Sequence, residues 1–176
     1  MPPRKLITYI AMSADGYIAK PNDDLSFLSL VEKEGEDYGY FDFVASVDTV
    51  IMGRKTYDWV MRQVPEFPHA DKTTYIWTWS PKASIGNVIF YMGELKPLVE
   101  QLKQAPGKNI YCDGGAELVN ALLQDNLVDT LIISIIPVLL GNGICLFQDN
   151  RPEQKLKLVA SKAFETGLVQ LTYNKV

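Results

Sequence analysis

Six short runs of apolar, largely β-branched or aromatic residues recur along the chain, each closed by a polar or glycine-containing stop. They are Leu6 to Met12, Val47 to Met52, Thr74 to Thr78, Val88 to Tyr91, Asn109 to Cys112 and Thr130 to Ile136. Runs of this length and composition predict buried strands. Between them the apolar spacing changes to the helical period. Leu95, Leu98, Val99 and Leu102 make one stripe, and Leu118, Val119, Leu122 and Leu123 make another. Helices are also predicted over Thr56 to Arg62, from Leu25 to Val31, and over Tyr38 to Ala45, with Phe41, Val44 and Ala45 on its inner side. Near the C-terminus the pattern alternates residue by residue, at Lys155 to Leu158 and again at Val169 to Tyr173, with Glu165-Thr166-Gly167 between. That predicts an antiparallel hairpin. Strands alternating with helices, then a hairpin, imply an α/β fold: a mixed, mostly parallel sheet with helices on both faces and an antiparallel edge.

Composition narrows the picture. The 176 residues are 47% hydrophobic and 22% charged, values for one soluble domain spanning 1–176 rather than a disordered or disulfide-stapled chain. The formal net charge of -4 excludes an extended nucleic-acid footprint. No apolar run is long enough for a membrane span, and no signal peptide is recognisable, so a cytoplasmic protein is expected. Cys112 and Cys145 both sit among apolar neighbours and read as buried thiols of a reducing compartment. A single histidine, His69, argues against a histidine-based zinc site and against a Ser-His-Asp hydrolase.

Two strand-to-helix junctions carry the candidate chemistry. Met52-Gly53-Arg54-Lys55-Thr56 places a glycine, two cations and a hydroxyl where a helix presents unpaired N–H groups, an arrangement suited to phosphate. A glycine turn followed by a solvated basic pair is the alternative. Asp113-Gly114-Gly115-Ala116-Glu117 repeats the arrangement with paired glycines, although it is not the G-x-G-x-x-G fingerprint. Two further loops, Asp15-Gly16 and Pro137 to Gly143, are shaped by turn residues and carry no reactive group beyond Asp15. No nucleophile elbow, Walker A loop or metal-ligand spacing is present. The pattern suits a phosphorylated cofactor that brings its own reactivity.

The segments IAMSADGYIA, IMGRKTY, YCDGGAELVNALL and VDTLIISIIPVLLGNGICLF, in that order, resemble the dihydrofolate reductase-like superfamily. The closer likeness is to bacterial proteins related to the C-terminal reductase domain of RibD, the riboflavin-biosynthesis enzyme. The resemblance covers essentially the whole chain. It implies a dihydrofolate reductase-like domain with NADPH along the carboxyl edge of the sheet. Gly53, Arg54, Lys55 and Thr56 match the stretch that grips the cofactor phosphates, with Arg54 on the adenosine 2′-phosphate. Thr78, Trp79 and Ser80 match the border of the adenosine site, and Asp113, Gly114, Gly115, Ala116 and Glu117 match the pyrophosphate turn, where the family joins the two glycines by a cis peptide. Ala11, Ile18 and Ala19 match positions lining the nicotinamide.

The implied activity is hydride transfer to a C=N or C=O group of a small heterocycle, as in dihydrofolate reductase or 5-amino-6-(5-phosphoribosylamino)uracil reductase. A non-catalytic NADPH-binding or sensing protein is the alternative on the same fold. The substrate side departs from dihydrofolate reductases: Asp24, Glu34, Glu36, Asp37 and Asp42 all lie where those enzymes carry one carboxylate. Asp37 with Tyr38, and then Asp24, are the candidates for orienting substrate and moving a proton. Homodimerisation is implied by family analogy alone.

Overall fold

The structure, a computed structural model, describes residues 3–176. The elements follow the order β1 (Leu6–Ser13), β2 (Tyr17–Ala19), α1 (Tyr40–Ala45), β3 (Val47–Gly53), α2 (Arg54–Gln63), β4 (Thr73–Trp77) and β5 (Val88–Tyr91). They continue with α3 (Leu95–Gln104), β6 (Asn109–Cys112), α4 (Ala116–Gln124), β7 (Thr130–Ile136), β8 (Ile144–Cys145), β9 (Leu156–Ala163) and β10 (Val169–Lys175). An eight-stranded sheet runs in the order β5-β4-β3-β6-β1-β7-β10-β9. Its first six strands are parallel, whereas β10 is antiparallel to β7 and β9 is antiparallel to β10. This is the mostly parallel sheet with an antiparallel edge that the apolar pattern predicts.

Alternation along the central strands divides the core into two layers. Leu6, Ile51 and Ile110 point to one face, where they meet Leu98, Val99 and Leu102 of α3 and Leu118, Val119 and Leu122 of α4. Their sequence neighbours Ile7, Val50 and Tyr111 point to the other face and pack on Phe43 of α1. On that second face Met52 and Ile76 cover Tyr57 of α2. Strands buried on both sides read as continuous apolar runs, which is why they are recognisable without alternation. At the amino edge of the sheet, buried Arg4 donates to Thr49 Oγ1 at 2.7 Å and to the Leu102 carbonyl at 3.1 Å, and it pairs with Asp48.

The structure corrects four expectations. The segment from Leu25 to Val31 forms a six-residue 3-10 turn at Ser26–Val31 rather than the start of an α-helix. Phe41 is exposed, and Phe43 is the residue that α1 buries, because the helix begins only at Tyr40 and its inner face is set by that start. Helix α2 begins two residues earlier than Thr56, which puts Arg54 and Lys55 in its first turn. Cys112 is buried but Cys145 is exposed, since β8 belongs not to the main sheet but to a small antiparallel pair with β2. Among the described residues no helix is long and apolar enough to cross a membrane, and no cluster of side chains could hold a metal ion.

Candidate active site

Because β3 and β6 are adjacent, their carboxyl ends bring the two glycine-bearing junctions together. Gly53 is the N-cap of α2 and Gly115 that of α4, and neither helix start is closed by a side chain. The Gly53 amide donates to the Gly114 carbonyl at 2.9 Å, and the Gly114–Gly115 peptide is cis. Gly114 has φ +91, a conformation that favours glycine. A Cβ on Gly115 would lie 3.0 Å from Thr56 Oγ1, so the absence of a side chain there keeps the gap between the two helix starts open. Two sets of unpaired N–H groups and two positive dipole ends thus face one place, an arrangement that attracts an anion.

The side chains around this gap add cations. Arg54 Nε donates to both oxygens of Asp58, at 2.9 and 2.8 Å, and its guanidinium carbon lies 5.5 Å from the centre of the Phe90 ring. Among the described residues, both terminal nitrogens of Arg54 are left without a protein acceptor. Lys82 Nζ sits 4.8 Å from the centre of the same ring, so a second cation shares this platform. Lys82 sits in the loop between β4 and β5, within no recognisable motif. Lys55 pairs with Glu117 at 2.8 Å, tying α2 to α4 through two exposed side chains. At the end of β4 the Thr78 hydroxyl accepts the Ser80 amide at 3.2 Å, while Trp79 projects into solvent, 81% exposed, with its ring 5.3 Å from that of Trp77. The Asp113 oxygens are engaged by the Tyr111 hydroxyl at 2.6 Å and by His69 Nε2 at 3.3 Å.

Beyond β1 the same edge opens into a cavity of about 540 Å³. Its floor is one face of β1 and β7: Tyr9 and Ala11 from the first, Ser134 and Ile136 from the second, with Ala11 opposite Ser134 in register. Leu28 and Val31 from the 3-10 turn wall it, and the segment from Glu32 to Tyr38 forms its rim. A Cβ at Gly114 would lie 3.7 Å from Ile10 Cδ1, a side chain that packs on the α3–α4 face of β1, opposite the cavity floor.

A neutral polar cluster lies on the floor. The Tyr9 hydroxyl donates to the Tyr38 carbonyl at 2.9 Å. Gln170 Nε2, on β10, reaches Tyr9 Oη at 3.0 Å, the Tyr38 carbonyl at 3.1 Å and Ser134 Oγ at 3.1 Å. Burial raises the Tyr9 phenol, so its proton is retained at neutral pH. Burial, with the Asp113 charge nearby, pushes Tyr40 up to about 12.

The three candidate proton-handling residues take different places. Asp37 and Tyr38 line the cavity, and Asp24 does not. The Asp37 carboxylate accepts the Phe41 amide at 2.9 Å and the Gly39 amide at 3.0 Å, which lowers its pKa and keeps it ionised. The Tyr38 hydroxyl bonds Thr166 Oγ1 at 2.9 Å and also the Val31 carbonyl, so it fastens the rim to the hairpin turn. Asp24 accepts the Ser26 amide at 2.7 Å and opens the 3-10 turn.

Of the expected nicotinamide-lining residues, Ala11 lies on the cavity floor, and Ile18 and Ala19 lie on β2. The loop carrying β2 is latched to the loop after β7. The Asp15 carboxylate accepts the Leu140 amide at 3.0 Å and the Gly141 amide at 2.7 Å, and Ser13 Oγ donates to it at 2.5 Å. These bonds, the Ser13 hydroxyl first, lower the Asp15 pKa to about 2. Gly143 has no room for a side chain, because a Cβ would fall 2.1 Å from the Ala19 carbonyl oxygen.

Comparison with known proteins identifies the family and the fold. The RibD C-terminal domain family matches residues 4–170. The uncharacterized protein YwjB of Bacillus subtilis is 44% identical over 171 residues, covering 97% of each chain. Among solved structures, a candidate riboflavin biosynthesis protein from Shewanella sp. PV-4 superposes with a TM-score of 0.86 at 29% identity, covering 98% of this chain and 99% of that one. Dihydrofolate reductase from Enterococcus faecalis, solved with NADP(H), superposes with a TM-score of 0.67 at 17% identity, covering 97% and 96%, a likeness of fold. With the family matched from Arg4 nearly to the end of the sheet, and the dihydrofolate reductase-like fold in place around both glycine junctions, the chain belongs to the RibD C-terminal domain family.

Proposed function

We propose that this chain is an NADPH-dependent reductase acting on a C=N or C=O bond of a small pteridine-like or riboflavin-precursor-like heterocycle. The observation that carries the reading is the pair of uncapped helix starts, Gly53 and Gly115, held side by side at the carboxyl ends of β3 and β6 in a sheet whose β1 and β7 floor a 540 Å³ cavity. The residues present suit the cofactor. The N–H groups of both helix starts and the Thr56 hydroxyl would hold the diphosphate, and the open gap at Gly115 gives it room. Arg54 and Lys82, gathered at Phe90, would hold the 2′-phosphate, with Trp79 and Ser80 bordering the adenosine.

The bound cofactor supplies the hydride. The chain supplies position and environment. Ala11 is small enough to leave room for a planar ring at the floor, and the Asp15 latch holds the loop that carries β2 against the loop after β7. Tyr9 and Ser134 present neutral hydroxyls to the edge of a heterocycle, and Gln170 fixes their direction. Asp37, held ionised, accepts from a substrate N–H at the rim, while Tyr38 keeps the rim in place. The apolar walls exclude water from the reacting atoms.

Steady-state loss of reduced-nicotinamide absorbance tests the reading across a panel of dihydropterins, aminopyrimidines and simple carbonyl compounds. Turnover with a heterocycle, absent in its oxidised form, is expected. Saturable NADPH binding with no turnover on any compound would overturn it in favour of a non-catalytic binding protein.

A further inference from the structure

The charges around the cavity are lopsided. Four carboxylates, Glu32, Glu34, Glu36 and Asp37, line it against one cation, Lys33. Lys33 is itself neutralised by Glu165 from the hairpin turn. Two of the carboxylates are fixed in place, Glu36 by the Tyr38 amide at 2.8 Å and Asp37 by the Gly39 and Phe41 amides. The other cation near the rim is Lys162 of β9, which acts on Asp37 and lies 4.4 Å from the centre of the Phe164 ring. The floor, by contrast, carries no charge: Tyr9, Ser134 and Gln170 are neutral and mutually bonded. The cations suited to phosphate, Arg54 and Lys82, stand together at Phe90, and neither lines this cavity.

We infer that the cavity selects an uncharged or cationic heterocycle and discriminates against one bearing a phosphate. The neutral hydroxyls on the floor match the donor and acceptor edge of a planar ring, and the acidic rim faces whatever arm the ring carries outward. A phosphate dianion on that arm, within ~10 Å of three excess negative charges, would bind about tenfold more weakly at low salt. Added salt would narrow the difference. The inference rests on the reading of this cavity as the substrate site, and it separates the chain's substrate from phosphoribosyl precursors.

The test uses two matched pairs: a dihydropterin with a polyhydroxylated arm and its monophosphate, and a diaminouracil riboside and its 5′-phosphate. Binding to the wild-type protein is measured by calorimetry with oxidised cofactor present, so no turnover is needed. The unphosphorylated member of a pair should bind about tenfold more tightly at low ionic strength, and the gap should close with salt. Replacing the two exposed rim carboxylates together (Glu32→Gln with Glu34→Gln) should narrow the same gap. Equal or tighter binding of the phosphorylated members overturns the inference, as does failure of all four compounds to bind. The reductase reading fails separately: if the unphosphorylated members bind preferentially but none is reduced by NADPH, selectivity stands and the activity does not.

Discussion

Replacing Arg54 with alanine separates a cofactor role from a structural one. The side chain is one-third exposed and makes two contacts with its own protein, the Asp58 ion pair and the face of Phe90. An exposed i,i+4 pair contributes ~0.3–0.5 kcal/mol and a partly exposed cation–π contact ~0.5–1 kcal/mol. The variant should therefore lose no more than ~1.5 kcal/mol, a fall in Tm of roughly 3–6 °C for a chain of this size. Its two terminal guanidinium nitrogens, which no protein group takes up among the described residues, are the part assigned to the 2′-phosphate. Charge-assisted hydrogen bonds of that kind are worth ~1.5–3 kcal/mol, so Kd for NADPH should rise about 10- to 150-fold. Kd for NADH, which lacks the 2′-phosphate, should change by less than about threefold, a shift of ~0.7 kcal/mol or less. Titrations of both cofactors against both proteins, at one salt concentration, give the comparison. Equal losses for NADPH and NADH would refute the assignment and return Arg54 to a structural role.

Three other substitutions or treatments probe the surroundings. Burial pushes the Cys112 thiol up to about 12 while Cys145 is exposed, so a thiol reagent should modify one cysteine in the native protein and two in denaturant; rapid native modification of both would contradict the packing around β6. Asp15→Asn should loosen the latch on the β2 loop, seen as faster amide exchange at Leu140 and Gly141. Because the folded pKa of Asp15 is depressed to about 2 from 3.8, its stabilising contribution is present above about pH 4 and is lost as pH falls towards 2. The variant should lack that part of the acid dependence, and an unchanged acid profile would count against the latch. Leu122→Ala removes a side chain with no exposure from the layer between α4 and the sheet; it should cost about 3–5 kcal/mol in denaturant unfolding, and a loss below 1 kcal/mol would show that the layer repacks.

What could be read in the sequence was whatever is encoded locally. Strands β5, β6 and β7 match their apolar runs residue for residue, because strands covered on both faces need no tertiary cue to stand out. The stripes of α3 and α4 locate those helices for the same reason. The β2–β8 pair is not encoded locally, since three residues meeting two across a long loop leave no periodicity, and the exposure of Cys145 follows from that pairing. In the site, the glycine junctions after β3 and β6 are contiguous motifs and were legible, whereas the cavity floor was not. Tyr9 and Gln170 stand 161 residues apart, and only the placement of β10 beside β7 brings them together. Lys82 likewise follows β4 in a loop without pattern and becomes informative only when the fold sets it over Phe90. The clustering of Asp37 with Tyr38 was readable from adjacency, but the two amides that hold Asp37 ionised depend on the left-handed turn at Gly39 (φ 81).

The central claim is that the paired helix starts at Gly53 and Gly115 hold a reduced dinucleotide carrying a 2′-phosphate. A fluorescence titration tests it most directly, with the neighbouring indoles of Trp77 and Trp79 at the end of β4 as donors and the reduced nicotinamide as acceptor. The account predicts saturable quenching by NADPH at concentrations about tenfold or more below those needed for NADH, a gap of ~1.4 kcal/mol. Saturation by neither cofactor, or by both at equal concentrations, would contradict it.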